Sequence, residues 1–246
     1  MKSVTFFLSL ATLLWGDVYA TYEIKPVKEA SLAFNASGLV KNVWVSVAQN
    51  VKKGETLVEL DREEETLHAK MAQVESEALK KEIDFLTIQY ERYSKSSQVF
   101  DKNTLDKMKM ELDTKTIALQ RAHLSYALSM EKITKMSLKA PFAGTITEKS
   151  VEAGDLVTTM GTHPVLKLIS RESKMVINFD AKYHADVHVG SLFCPKLDSQ
   201  SLGSCVVIKK IYPTVNTTNR QMSAEAEGLG LKPGLFGDGM ISSPKR

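Results

Sequence analysis

The chain of 246 residues is poor in cysteine and in aromatic residues, and charges of neither sign dominate it. Two cysteines are too few for a disulfide-rich scaffold or a four-cysteine zinc module. With 32 Lys and Arg against 29 Asp and Glu, the net charge of +3 provides no concentrated basic surface, so nucleic acid is not an expected partner. After the N-terminus, no apolar run is long enough to cross a bilayer. What remains is a protein of mixed composition with enough apolar residues for a core.

Residues 1–20 are typical of a secretory signal. A basic N-terminus precedes an apolar run from Val4 to Leu14, and Val18 and Ala20 occupy the two positions that signal peptidase reads. The run is too short to span a bilayer as a helix. We therefore predict export with cleavage after Ala20, and an uncleaved anchor is the alternative.

Two segments on either side of the centre of the chain repeat each other. The first extends from Gly38 to Asp61 and the second from Gly144 to Ile169, and both alternate β-branched residues with glycine-containing turns. Neither copy alone is large enough to bury its apolar face. We therefore predict that residues 34–61 and 139–170 pair into one small β-sandwich.

Between the two copies the apolar residues follow a helical period, and Gly and Pro are almost absent. They form one stripe with spacings of three and four on each predicted helix: Leu67, Met71, Val74, Ala78, Phe85 and Ile88, then Leu105, Met108, Leu112, Leu119, Ala122, Tyr126, Ile133 and Met136. Helix-start signals occur at Asp61 and at Asn103, where the second helix begins after a polar break. We predict an antiparallel hairpin over residues 62–138, with its tip at about residues 93–103, in which the two stripes pack together.

The order of these segments, with the return segment from Lys139 to Gly144, resembles the periplasmic adaptor family, also called membrane fusion proteins, of tripartite efflux pumps. Ile211 to Arg220 and Leu231 to Phe236 are similar to later segments of that family. The fold class that the resemblance implies is mixed α and β and elongated: a lipoyl-like β-sandwich split by a long antiparallel coiled-coil hairpin, followed by a β-barrel. The barrel would comprise residues 171–246, joined by a strand from residues 21–33.

The resemblance also implies a function in the periplasm. Members bridge an inner-membrane transporter to a trimeric outer-membrane channel, which the hairpin tip contacts. The family's tip pattern falls on Arg92, Ser96 and Asn103: Arg92 matches it, Asn103 is a polar substitute and Ser96 departs from it. These three residues and Ser97 are the predicted partner-binding residues. Self-association is expected as well, and the family suggests a hexamer.

Within this resemblance, the expected transporter is of the resistance-nodulation-division type and exports drugs or other small toxic solutes. An ABC-type exporter, of the macrolide or type I secretion kind, and a metal-efflux pump are the alternatives. His184 and His188 are weak metal candidates, because a spacing of four aligns them on a helix and separates them on a strand. Surface histidines are the simpler interpretation.

The remaining reactive residues do not predict an enzyme. Cys194 and Cys205 flank a predicted strand–loop–strand connection, where a disulfide and two buried thiols are both open interpretations. The tripeptide Met108-Lys109-Met110 is similar to a biotin attachment sequence but lies inside the second predicted helix. No nucleophile–base pair or phosphate-binding loop accompanies them. We therefore predict no catalytic activity and no cofactor.

Overall fold

The computed structural model describes residues 16–95, 101–159, 163–197, 200–201 and 203–243. Its helices are α1 (Glu63–Lys95) and α2 (Lys102–Lys135), with a short 3-10 turn at Ala181–Tyr183. The strands are β1 (Gly16–Pro26), β2 (Glu29–Leu32), β3 (Gly38–Val43), β4 (Asn50–Val51), β5 (Thr56–Leu60), β6 (Ser137–Lys139), β7 (Gly144–Lys149), β8 (Leu156–Val157), β9 (Leu166–Ser170), β10 (Ser173–Asp180), β11 (Leu192–Leu197), β12 (Gln200–Ser201), β13 (Val206–Val207), β14 (Lys210–Asn216), β15 (Gln221–Glu227) and β16 (Phe236–Ser243). They belong to two compact units, one of Ser31–Leu168 and one of the residues before and after it.

Two four-stranded sheets lie largely within the unit of Ser31–Leu168. One has the strand order β2-β9-β7-β4 and the other β6-β5-β3-β8, so each sheet combines strands from before and after the helices. Val40, Leu57, Ile146 and Leu168 are almost completely buried in this unit. The predicted fold class, a β-sandwich split by a helical hairpin and followed by a further β-domain, is confirmed.

The two halves of the sandwich use the same turn chemistry. Gly54 and Gly154 have φ angles of 82° and 97°, in the left-handed region that favours glycine. In the first half, the carboxylate of Glu55 accepts the backbone N–H of Lys52 at 2.7 Å. Its counterpart Asp155 accepts the equivalent N–H, three residues back, at 2.8 Å. The internal repeat is therefore a repeat of structure as well as of sequence.

Helices α1 and α2 contain 33 and 34 residues. At the start of α1, Asp61 accepts the N–H of Glu63 at 3.0 Å, as the sequence predicts. At the start of α2, the capping residue is Asp101 rather than Asn103, since the Asp101 carboxylate accepts the N–H of Thr104 at 2.7 Å. Asn103 lies within the first turn of α2, where its own side chain cannot perform the capping role. No helix among the described residues is long and apolar enough to span a membrane.

The face that α1 turns toward α2 is not the predicted one. The buried residues of α1 are Ala69, Ala72, Ser76 and Leu86, which form its inner stripe. The predicted residues Leu67, Met71, Val74, Phe85 and Ile88 are each more than half exposed, and with the exposed Ala78 they form the outer stripe of α1. The prediction was wrong because α1 carries a second stripe on its other side, and the small residues of this inner stripe let α2 approach closely. On α2, the predicted stripe does face α1, with Ala122 buried and Leu112, Leu119 and Tyr126 half-buried.

The second unit is an eight-stranded sheet with the order β12-β11-β16-β1-β10-β15-β14, in which β13 also pairs with β11. Strand β1 lies between β16 and β10 and is antiparallel to both. Its residues Tyr22 and Ile24 share one apolar core with Ile177, Phe193 and Ile241. Strands from both ends of the chain therefore build this core, as the resemblance implies.

Strand β1 begins at Gly16, inside the segment predicted to be a leader. Val18 and Ala20 are 4% and 1% exposed in the core of this unit, and the strand pairs with β16 from Gly16 onward. Cleavage after Ala20 would remove these buried side chains and the first ladder bonds. The second unit as the structure describes it thus includes Gly16, and cleavage after Ala20 stays a prediction.

Candidate docking site at the hairpin tip

The described part of the tip consists of the last turn of α1 and the first turn of α2. Arg92 and Lys95 lie in the last turn of α1, where cations interact favourably with the helix dipole. Lys102 and Asn103 lie in the first turn of α2, and all four side chains are exposed. The predicted residues Ser96 and Ser97 lie outside the described residues. The structure thus brings Arg92 and Asn103 to the same end of the hairpin.

The contact between the helices continues up to these exposed residues. Tyr90 and Tyr93 are half-buried on the side of α1 that faces α2, and Leu105 is half-buried on α2. Arg92 precedes Tyr93 and therefore projects about 100° away from it, toward solvent. A guanidinium group has five N–H donors in a fixed planar arrangement, so it can bind carbonyl and carboxylate oxygens of another protein.

Two ion pairs between the helices mark their register. Lys132 donates to Glu65 at 2.9 Å near the base of the hairpin, and Lys115 pairs with Glu82 at 2.6 Å farther out. The hydrogen bond from Lys132 holds the pKa of the Glu65 carboxyl below its ordinary value. Because both pairs connect α1 to α2 in the same register, the ends of the helices meet at a defined level.

The structure does not place the predicted metal candidates on one α-helix. His184 follows the short 3-10 turn, and its Nδ1 lies 3.2 Å from the carbonyl oxygen of Ala181. His188 lies in the following loop, where its backbone N–H donates to Ser191 Oγ at 3.0 Å. Within the described residues, no group of three or more His, Cys, Asp or Glu side chains could hold a metal ion. The metal role stays an unsupported prediction.

The two cysteines, for which the sequence leaves two states open, are joined by a disulfide. Cys194 lies in β11, and Cys205 lies directly before β13. The pairing of Phe193 with Val206 places the two cysteines opposite each other on these strands. The bond therefore links a sheet strand to its short neighbour and leaves no free thiol for chemistry.

Sequence reasoning missed an apolar surface along the hairpin. Besides the outer stripe of α1, helix α2 has four apolar residues that are each more than half exposed, which form the outer stripe of α2: Met110, Ile117, Leu124 and Leu128. The signal was present, because these residues also recur at spacings of seven and four. A search for a second stripe on each helix would have found it.

Comparison with known proteins identifies relatives for most of the chain. Residues 28–163 match the family model described as CzcB-like, barrel-sandwich hybrid domain. An uncharacterized protein of Haemophilus influenzae is 27% identical over 232 residues, which cover 90% of this chain and 56% of that protein. The chain thus spans about half the length of this relative.

Solved structures share the fold at low sequence identity. The membrane fusion protein Spr0693 from Streptococcus pneumoniae has a TM-score of 0.75 at 16% identity, covering 93% of this chain and 100% of that one. MacA from Actinobacillus actinomycetemcomitans has a TM-score of 0.73 at 19% identity, covering 94% and 79%. At these identities the likeness is one of fold.

Proposed function

Since the chain belongs to the CzcB-like barrel-sandwich hybrid family, whose fold is that of efflux membrane fusion proteins and not of an enzyme, we propose that it is a periplasmic adaptor of a tripartite efflux pump. It would bridge an inner-membrane transporter to an outer-membrane channel. The observation that carries this proposal is the hairpin: two helices of 33 and 34 residues extend from a split β-sandwich and end in an exposed polar tip.

In this proposal the tip contacts the channel. Arg92 and Asn103 are the described residues that would make the contact, and Ser96 and Ser97 would join them. The support is that Arg92 and Asn103 are exposed at the ends of two helices whose register is marked by ion pairs. A guanidinium group and a side-chain amide both donate hydrogen bonds, so these residues can bind acceptor oxygens on a partner.

The finer parts of the proposal follow the family resemblance. We propose a transporter of the resistance-nodulation-division type, drugs or other small toxic solutes as its cargo, and a hexameric arrangement of the adaptor. Neither the transporter type, nor the cargo, nor the hexameric arrangement requires this chain to bind a cofactor. The hairpin and sandwich would serve any of them equally, because their role is to connect and seal rather than to select cargo.

Action in the periplasm requires export. The disulfide between Cys194 and Cys205 supports an oxidising compartment. Because Val18 and Ala20 are buried in the folded unit, we propose that the mature chain retains Gly16 and the residues after it. Intact-mass measurement of the protein from the cell envelope is expected to give an N-terminus at or before Gly16. A mature chain beginning at Thr21 would contradict this part of the proposal.

Affinity purification from cells tests the proposed function. The tagged full chain, cross-linked in its own host and purified, is expected to bring down an inner-membrane transporter and an outer-membrane channel. Arg92→Ala should reduce the recovery of the channel several-fold and leave that of the transporter unchanged. Lys80→Ala, an exposed change in the middle of α1, is the matched control. Equal recovery of the channel with both variants would contradict the role of Arg92, and recovery of neither partner with the unaltered chain would contradict the function.

A further inference from the structure

The β-sandwich has an open depression on the solvent-facing side of its β6-β5-β3-β8 sheet, close to the start of α1. Its volume of about 480 Å³ is within the range of small-molecule sites. Strands β5 and β6 pair Thr56 with Lys139 and Glu59 with Ser137, so regular structure holds these side chains beside one another. The residues that line the depression are Trp44, Thr56, Glu59, Arg62, Ser137 and Lys139.

Trp44 is the unusual residue of this depression, because 58% of its surface is exposed. Tryptophan is highly buried on average in folded proteins. Among the described residues, no aromatic ring and no cation stacks on the indole of Trp44, and its N–H has no hydrogen-bond partner. A flat apolar surface and a hydrogen-bond donor are therefore both accessible to a ligand.

The fold of the sandwich does not require a tryptophan at this position. Trp44 directly follows β3, and Ser150 directly follows β7, the corresponding strand of the second copy of the repeat. The two residues make the same backbone hydrogen bond: the N–H of Trp44 donates to the carbonyl oxygen of Leu57, and that of Ser150 to Val165, both at 2.9 Å. The second half of the sandwich thus forms with a small polar side chain here. The exposed indole therefore has a purpose other than folding.

The charges that line the depression favour an anion. Arg62 pairs with Glu59 at 2.9 Å, whereas Lys139 has no acidic partner among the described residues. Two cations therefore accompany a single carboxylate, which is already paired. The acidic residues Glu63 and Glu64 at the start of α1 do not line the depression. An acidic group bound here would form charge-assisted hydrogen bonds, which are stronger than those between neutral groups.

We propose that this depression, the Trp44 site, binds a small organic acid that carries a flat apolar ring. The ring lies against the indole of Trp44, and the carboxylate or sulfonate accepts hydrogen bonds from Lys139 and Arg62. Arg62 can make this contact and keep Glu59, because a guanidinium group has five N–H donors. The half-exposed hydroxyl groups of Thr56 and Ser137 donate to the same ligand.

The openness of the depression sets the expected affinity. A ligand bound in it keeps part of its surface in water, so the ring and the acidic group must both contribute for binding to be measurable. For a probe with two fused rings and one carboxylate, we expect a dissociation constant on the order of 100 µM. The site belongs to the sandwich alone, and its binding does not depend on the proposed adaptor function.

Nuclear magnetic resonance of the purified, ¹⁵N-labelled full chain tests the Trp44 site, with 2-naphthoate as the probe. The chain has two tryptophans, and Trp44→Phe identifies the indole N–H signal of Trp44 by its loss. We expect 2-naphthoate to shift this signal saturably. The cationic analogue 2-naphthylmethylammonium has the same rings and the opposite charge, so it should bind at least about tenfold more weakly.

Two lysine variants localise the bound acid. Lys139→Ala should weaken the binding of 2-naphthoate about tenfold, because it removes a charged hydrogen-bond donor. Lys80→Ala removes an exposed lysine of α1 that does not line the site, and it should leave the affinity unchanged. Far-UV circular dichroism shows that both variants are folded. No shift of the Trp44 signal at millimolar 2-naphthoate, equal binding of the two probes, or an unchanged affinity in Lys139→Ala would each overturn the proposal.

The result is independent of the test of the adaptor function. The titration uses the purified chain and requires neither a transporter nor a channel. A saturable shift, combined with failure to recover either envelope partner from cells, would contradict the proposed function alone. Recovery of both partners without a shift would contradict the Trp44 site alone.

Discussion

The inner and outer stripes of α1 follow the same stretch of the helix, yet only one of them packs inside the hairpin. The inner stripe contains the small residues Ala69, Ala72 and Ser76, and the outer stripe contains larger apolar residues such as Met71 and Phe85. The fit between the two helices, and not the size of the apolar side chains, therefore selects the buried face. Large residues left outside are then available for a second contact.

The strongest test of this comparison uses two adjacent residues. Leu86 is 9% exposed on the inner stripe, and Phe85 is 59% exposed on the outer stripe. We expect Leu86→Asp to lower the free energy of unfolding by about 3 kcal/mol, because it buries an unpaired carboxylate. Phe85→Asp should change it by about 0.5 kcal/mol or less. Denaturant titration followed by far-UV circular dichroism measures both, and equal losses would contradict the assignment of the two faces.

A second pair of variants tests the close approach of the helices. Ala72 is buried between α1 and α2, whereas Ala78 is exposed on the outer stripe. Ala72→Leu is expected to lower the free energy of unfolding by about 2 kcal/mol, because the added atoms do not fit into the close contact between the two helices. Ala78→Leu adds the same atoms to solvent-facing surface and should have little effect. The midpoints of thermal unfolding of the two variants test this expectation. A stabilised Ala72→Leu protein would show that the two helices are loosely packed at this position.

The smallest expected effect concerns the ion pair at the edge of the inner stripe. The hydrogen bond from Lys132 lowers the pKa of Glu65 in the folded state. The contribution of this hydrogen bond to the free energy of unfolding is therefore fully present above the pKa that Glu65 has in the unfolded chain. It is lost as the pH falls through the lower pKa that Glu65 has in the folded protein. Glu65→Gln should cost about 0.5 kcal/mol at neutral pH and nothing at strongly acidic pH. Glu64→Gln, on the exposed side of the same turn, is the control, and the same pH dependence in both variants would contradict this role of the pair.

The sequence predicts most of the architecture because its signals there are local. Gly54 and Gly154 mark equivalent turns whose φ angles only glycine adopts readily, so the two halves of the sandwich are recognisable from the chain alone. The helices are equally visible, because spacings of three and four continue over many turns without Gly or Pro. The lengths of the two helices follow closely from the residues at which this spacing starts and stops.

What the sequence does not predict depends on partners distant in the chain. The choice between the two stripes of α1 requires the shape of α2, which no local pattern contains. The strand from Gly16 onward depends on pairing with β16 at the other end of the chain. The local sequence of the same residues indicates only a leader. The cap of α2 is a competition between the neighbouring polar residues Asp101 and Asn103, and backbone geometry decides it. The side on which the tip residues project depends on which face of α1 packs against α2 and on where α2 begins.

Site-specific photo-crosslinking from the tip in living cells tests whether the hairpin tip binds an outer-membrane channel. A photoreactive amino acid replaces Lys95, the exposed last residue of α1, and in a parallel strain it replaces the exposed Lys80 in the middle of the same helix. Mass spectrometry identifies the captured proteins. If the tip contacts the channel, position 95 captures an outer-membrane channel and position 80 does not. Two results would contradict docking of an adaptor through its hairpin tip. One is capture of the same proteins from both positions, and the other is capture of no envelope protein from position 95.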